Sequence, residues 1–130
     1  MSLNDPLANS LSSILNSEKS AKSIVNVRPV SKMLKKILEI LKNNNYIGEY
    51  KVVEDGRGDF IEINLLGKIN KCGVIKPRFS FKKEGFEKHE KRFLPAKDFG
   101  ILIVSTNKGL VTHKEAKKQA IGGKLIAYCY

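Results

Sequence analysis

No apolar run in this 130-residue chain approaches the roughly 20 residues that a membrane-spanning helix needs. Met1-Ser2-Leu3-Asn4-Asp5 has no basic stretch followed by an apolar one, so a secretory signal is not expected. The two cysteines, Cys72 and Cys129, lie far apart, without Cys-x-x-Cys spacing or paired histidines nearby. A metal site or disulfide framework is therefore not expected, and reduced thiols in a cytoplasmic protein are the default. The chain also lacks a P-loop, a dinucleotide fingerprint, a zinc signature and a nucleophile elbow. His113 has no cysteine or carboxylate in a triad-like context and is expected at the surface, as is His89 within a charged run. Asp55 and Asp59 bracket a hairpin, where acids commonly serve the turn rather than proton transfer. Nothing specific supports an enzyme, and no cofactor is expected.

Acidic residues are scarce in the second half. Residues 1–67 hold 9 Lys/Arg against 8 Asp/Glu, whereas residues 68–130 hold 15 against 5. The net charge of +11 therefore sits almost wholly in the C-terminal half. Concentrated positive charge is relieved by a polyanion, and nucleic acid gains further from counterion release. The length suits one domain or two small lobes.

Hydrophobic periodicity supplies the elements. Asp5-Pro6 starts a helix, an N-cap oxygen followed by a ring that presets φ, with Leu3, Leu7, Leu11, Ile14 and Leu15 at helical spacing. Ser10, Ser12, Ser13 and Asn16 take other positions, and residues 17–20 fray its end. Ile24-Val25-Asn26-Val27 reads as a strand stopped near Arg28-Pro29. Ser31 caps a second helix in which Met33, Leu34, Ile37, Leu38, Ile40 and Leu41 form the apolar stripe. Strands over 47–54 and 59–65 flank the hairpin Asp55-Gly56-Arg57-Gly58. Residues 71–76 read as a connector, 77–82 as a strand and 83–92 as an exposed loop with room for one helical turn. A strand over 100–105 meets a tight turn at Asn107-Lys108-Gly109. Thr112 and Glu115 form a capping box for a short helix, which Gly122-Gly123 should stop before the last strand. The expected fold is α+β in two small lobes. Residues 1–67 form an N-terminal α-β-α-β-β lobe, and residues 68–130 a basic, mostly β lobe with one short helix.

Ser105-Thr106-Asn107-Lys108-Gly109 and Gly122-Gly123-Lys124 carry the functional signal. Each adjoins an apolar strand, so hydroxyls, an amide, side-chain-poor backbone and two ammonium groups would stand on a rigid frame. That set suits phosphates, sugar hydroxyls and base edges, and it contains no nucleophile–base pair. Phe79 and Phe81 share one strand face and suit a core better than a stacking platform. Arg78, Ser80 and Lys82 would face the other way and could meet phosphate. Lys32, Lys35 and Lys36 line a solvated helix face, with Lys32 near the helix start the best phosphate candidate of the three.

These residues resemble the small-ribosomal-subunit protein eight family over nearly the whole chain. The resemblance rests on Asn4-Asp5-Pro6-Leu7-Ala8, Val104-Ser105-Thr106-Asn107-Lys108-Gly109, Thr112-His113-Lys114-Glu115-Ala116 and Gly122-Gly123-Lys124. Arg92-Phe93-Leu94-Pro95-Ala96-Lys97-Asp98-Phe99-Gly100 looks like the archaeal and eukaryotic branch. Asn107 and Lys124 depart from bacterial members, which often have serine and an acid there. The resemblance implies a two-lobed structural protein of the small subunit, without catalysis or cofactor. It would bind the central domain of small-subunit ribosomal RNA early in assembly, beside neighbouring ribosomal proteins, and be a monomer outside the ribosome. The implied RNA-binding set is Ser105, Thr106, Asn107, Lys108, Gly122, Gly123 and Lys124, with Asn4, Asp5, Lys32, Arg78 and Lys82. The alternatives are a translational repressor that binds a messenger RNA stem mimicking the ribosomal site, and a small RNA-modifying or hydrolytic enzyme.

Overall fold

A computed structural model of the chain describes residues 6–28, 30–54, 56, 58–75, 80–81, 92–95 and 99–130, with backbone alone at Pro6, Ser80 and Phe81. The chain divides into two compact units, Met1–Asn70 and Lys71–Tyr130. The architecture is α+β, helices with antiparallel sheets, as the periodicity predicts.

The first unit runs α1 (Pro6–Lys19), β1 (Ile24–Val27), α2 (Lys32–Asn43), β2 (Ile47–Val53) and β3 (Phe60–Leu65). Its sheet is antiparallel in the order β1-β3-β2. Leu7, Leu11 and Ile14 of α1 and Leu34, Ile37, Leu38 and Leu41 of α2 are buried, as are Val25, Val27, Ile61, Ile63 and Leu65 of the strands. Helix α1 packs against β1 and α2 against β2. Ser10, expected on the polar side, is buried, because position 10 lies on the same helical face as Leu7, Leu11 and Ile14. Ser31 caps α2 as read: its side chain accepts from the Leu34 N–H at 3.1 Å. Gly56 and Gly58 both take positive φ in the hairpin, whereas Asp55 and Arg57 lie outside the described residues. The Glu18 carboxylate accepts from the N–H groups of Gly67 and Ile69, at 3.1 and 2.8 Å, and so holds the segment after β3 against the end of α1.

The second unit contains β4 (Cys72–Val74), β5 (Ser80–Phe81), β6 (Ile101–Thr106), β7 (Gly109–Thr112), α3 (His113–Lys118) and β8 (Gly123–Cys129). Its sheet runs β4-β8-β6-β7, and β5 also pairs with β8. Residues 71–76, expected as a connector, supply the strand β4. Three residues with a glycine at their centre carry no period, and the partner strand lies at the far end of the chain. The core joins Ile75, Leu94, Leu102, Val104, Ala116 and Leu125, with Phe93, Val111, Ile121, Tyr128 and Tyr130 packed against it. Tyr128 stacks with Phe93 and with Tyr130, each ring centroid 6.2 Å from its own.

The helices α1, α2 and α3 stop by one device. In α1, the N–H groups of Ala21 and Lys22 donate to the carbonyls of Glu18 and Ser17. In α2, those of Asn45 and Tyr46 donate to Lys42 and Leu41. In α3, those of Ala120 and Ile121 donate to Lys117 and Ala116. These are paired Schellman bonds, and the left-handed residue they need is Ala21 (φ 57°), Asn45 (65°) or Ala120 (54°) rather than glycine. Helix α1 therefore continues through Lys19 instead of fraying from Ser17. Ile121 follows Ala120 into the same apolar cluster as Ala116, and this contact fixes the stop of α3.

Candidate nucleic-acid interface

Strand β6 begins as the buried run Ile101-Leu102-Ile103-Val104 and ends in half-buried Ser105 and Thr106. Ser105 and Thr106 thus lie on the strand rather than in the turn, which comprises Asn107 and Lys108 and returns at Gly109. Thr106 pairs with Gly109, and Gly109 takes φ +108°, a conformation that favours glycine. The Thr106 hydroxyl donates to the Gly109 carbonyl at 2.8 Å and accepts from the Lys108 N–H at 3.1 Å. Thr106 therefore shapes the hairpin. Asn107 and Lys108 project at its tip, both exposed.

The second polar segment meets the first across the sheet. Ser105 pairs with Lys124 of β8 on one side and with Leu110 of β7 on the other. A Cβ placed on Gly123 would lie 2.2 Å from the Ser105 carbonyl oxygen and 3.1 Å from its carbonyl carbon. Glycine is required there because β8 runs hard against the β6 backbone, a cause different from the one expected. Positive φ falls on Ala120, Gly100 and Gly109 in this region, and neither Gly122 nor Gly123 is left-handed. The expected helix stop at Gly122-Gly123 is corrected accordingly: α3 ends at Lys118 with Ala120 as its left-handed residue, and Gly123 opens β8. On the far side of β8, Ser80 pairs with Lys124 and Phe81 with Gly123, so β5 reaches the same end of the sheet. Nothing in the sequence pattern signals that pairing.

The fold thus brings Ser105, Thr106, Asn107, Lys108, Gly123 and Lys124 to one end of one sheet, with Gly122 leading in. Lys108 and Lys124 are exposed there. Lys32 belongs to the other unit, exposed as the first residue of α2, whose first turn holds no acid. Asn4, Asp5, Arg78 and Lys82 lie outside the described residues, as does Phe79.

His113 is the clearest departure from expectation. It is fully buried, and its Nδ1 accepts from the Leu102 N–H at 3.0 Å. Strand β7 partners β6 only as far as Thr112 opposite Ile103. The next donor on β6 would lose its partner where the chain turns into α3, and the imidazole takes that place. An accepting Nδ1 requires the proton to sit on Nε2, so the ring is neutral. Thr112 caps α3 as read, its Oγ1 accepting from the Glu115 N–H at 3.2 Å. The Glu115 carboxylate accepts from Gln119 Nε2 at 3.1 Å.

In the first unit, Tyr50 donates to Glu39 at 2.6 Å. Burial, then that hydrogen bond and the charges of Glu39 and Glu49, push its phenol up to about 12. Among the described residues, no group of three or more His, Cys, Asp or Glu could hold a metal ion. None of the described helices is long and apolar enough to cross a membrane. Residues 5–130 match the family described as ribosomal protein S8.

Proposed function

The chain belongs to the ribosomal protein S8 family, and from that premise we propose that the end of the sheet formed by β6, the 107–108 turn and the start of β8 is its main ribosomal RNA contact. Family membership makes the chain a structural protein of the small ribosomal subunit that binds ribosomal RNA; the family is not one of enzymes. The finer reading assigns it to the central domain of that RNA, early in subunit assembly and beside neighbouring small-subunit proteins.

One observation carries the assignment of the surface. Two polar, basic segments separated by β7 and α3 converge as register partners, Ser105 with Lys124. Both are anchored on strands whose preceding or following residues, Val104 and Leu125, are fully buried. The donors and acceptors are therefore held before RNA arrives, and little entropy is lost on ordering them. Ser105 and Asn107 offer short hydrogen-bonding groups for sugar and base edges, whereas Lys108 and Lys124 supply charge for phosphates. Gly123 lets β8 lie against the β6 backbone, which sets Lys124 beside Ser105. Lys32 contributes charge from the first unit: a cation in the first turn of a helix opposes the helix dipole, and phosphate offsets that cost.

Titrations of an RNA fragment containing the central-domain site test this. Affinity should fall steeply with salt, with a log–log slope of several units if about five to eight phosphates are neutralised. Ser105→Ala and Asn107→Ala should melt nearly as the parent does, bind roughly 5- to 100-fold more weakly and keep the parental slope, because a desolvated group that loses its partner costs about 1–3 kcal/mol. Lys108→Ala should reduce the slope by about one unit. Alanine variants that lose stability but keep affinity in the folded fraction would make this segment a structural hairpin only.

A further inference from the structure

Cys72 and Cys129, distant in sequence and not expected to pair, are register partners across β4 and β8. Immediately beside them, Lys71 and Tyr130 exchange both backbone hydrogen bonds, each at 2.9 Å. An antiparallel ladder alternates bonded and non-bonded pairs, so Cys72 and Cys129 occupy the next, non-hydrogen-bonded pair. The Ile75 N–H donating to the Ile126 carbonyl at 2.9 Å, three positions further on, keeps the same alternation. At a non-hydrogen-bonded pair the Cα atoms approach to about 4.5 Å and both side chains leave the same face. A disulfide spans Cα separations of about 4.4–6.8 Å. Both residues are thiols here, 4% and 1% exposed. Strand β4 has only three residues and, among the described residues, pairs with β8 alone. Opening a short edge strand costs less than opening the core, and it gives a small reagent access to both sulfurs together.

We propose that Cys72 and Cys129 form a dithiol modification site that closes to a cross-strand disulfide in exchange with a low-molecular-weight disulfide. One cysteine thiolate attacks a sulfur of the reagent, forming a mixed disulfide and expelling one reagent thiolate. The second cysteine thiolate attacks the protein sulfur of that mixed disulfide. The Sγ–Sγ bond forms, and the second reagent thiolate leaves. The two cysteine protons end on the two departing thiols, and the reagent disulfide takes the two electrons. The product staples the first strand of the second unit to its last, closing a loop over nearly the whole of Lys71–Tyr130.

The test equilibrates the full chain in graded ratios of oxidised to reduced glutathione, quenches by alkylation and reads intact mass. The native chain should convert in one step to a monomer lacking two hydrogens, with an effective thiol concentration at least ~10-fold above that of the chain in urea. The oxidised chain should melt about 5–15 °C higher, because closure constrains the unfolded chain. Cys72→Ser and Cys129→Ser should each stop at the mixed disulfide with one glutathione. Accumulation of glutathione adducts or disulfide-linked dimers in the parent chain would overturn the proposal. So would an effective concentration no higher in the native chain than in urea, or an oxidised chain that melts below the reduced one. These readouts contain no RNA, so their failure is independent of the RNA surface.

Discussion

Replacing Gly123 by alanine tests the close approach on which the end of the sheet carrying Ser105 and Lys124 depends. The added Cβ would sit 2.2 Å from the Ser105 carbonyl oxygen, 3.1 Å from its carbonyl carbon and 3.0 Å from Val104 Cγ1. Two of those atoms are backbone, so no rotamer change relieves the contact. Strand β8 must withdraw locally by roughly 1 Å to restore van der Waals distance, and N–H···O bonds near 2.9 Å then stretch past their useful range. The lost ladder bonds cost about 1 kcal/mol each, and overpacking adds about 1–3 kcal/mol. A net loss of about 2–4 kcal/mol corresponds to a melting temperature lower by roughly 10 °C for a chain of this size. Ser105 moves with its backbone, so affinity for the RNA fragment should also fall in the fraction that remains folded. Gly73→Ala is the control, because it too lies in this sheet. Its Cβ would meet only Tyr128 ring atoms, Oη at 3.1 Å and Cε1 and Cζ at 3.3 Å, and a side chain can shift by a few tenths of an ångström. That variant should stay within about 1 kcal/mol of the parent. Calorimetry of both variants decides the matter. A Gly123→Ala protein that melts like its parent, or a Gly73→Ala protein that falls as far, refutes the reasoning from backbone approach.

Three further outcomes follow from the same structure. Ala21→Gly and Ala120→Gly should each stabilise the chain by about 0.5–1 kcal/mol in urea titrations, since glycine adopts their positive φ without a Cβ penalty. His113→Leu should cost about 1–3 kcal/mol by orphaning the buried Leu102 N–H, whereas His113→Asn, which keeps an acceptor near the Nδ1 position, should recover part of that loss. Tyr50 holds its proton more tightly folded than unfolded. Its contribution is complete below pH 10 and is lost as pH rises towards about 12. Tyr50→Phe should flatten stability over that interval, and an unchanged slope in that variant would mean that Tyr50 does not supply it.

Local chemistry in the sequence determined most of the first unit. The helical spacing of Leu34, Ile37, Leu38 and Leu41 outlives any change of context, because a solvated face and a dry face cannot be exchanged. Ser31 and Thr112 declare helix starts for the same local reason: each satisfies a backbone donor three residues on. The polar segments 105–108 and 122–124 were legible as a candidate contact from composition alone, along with the charge that surrounds them. Their convergence was decided by tertiary structure, since strand register depends on a partner far along the chain and leaves no period behind. The same holds for β4, for β5 beside Lys124, and for the juxtaposition of Cys72 with Cys129. His113 and Gly123 show the cause most directly. A histidine in a helix's first turn reads as exposed until a neighbouring strand presents a donor at 3.0 Å. A glycine after a helix reads as its stop until another backbone lies 2.2 Å from where a Cβ would stand. In both, the deciding atom belongs to β6, and only the folded chain brings it within reach.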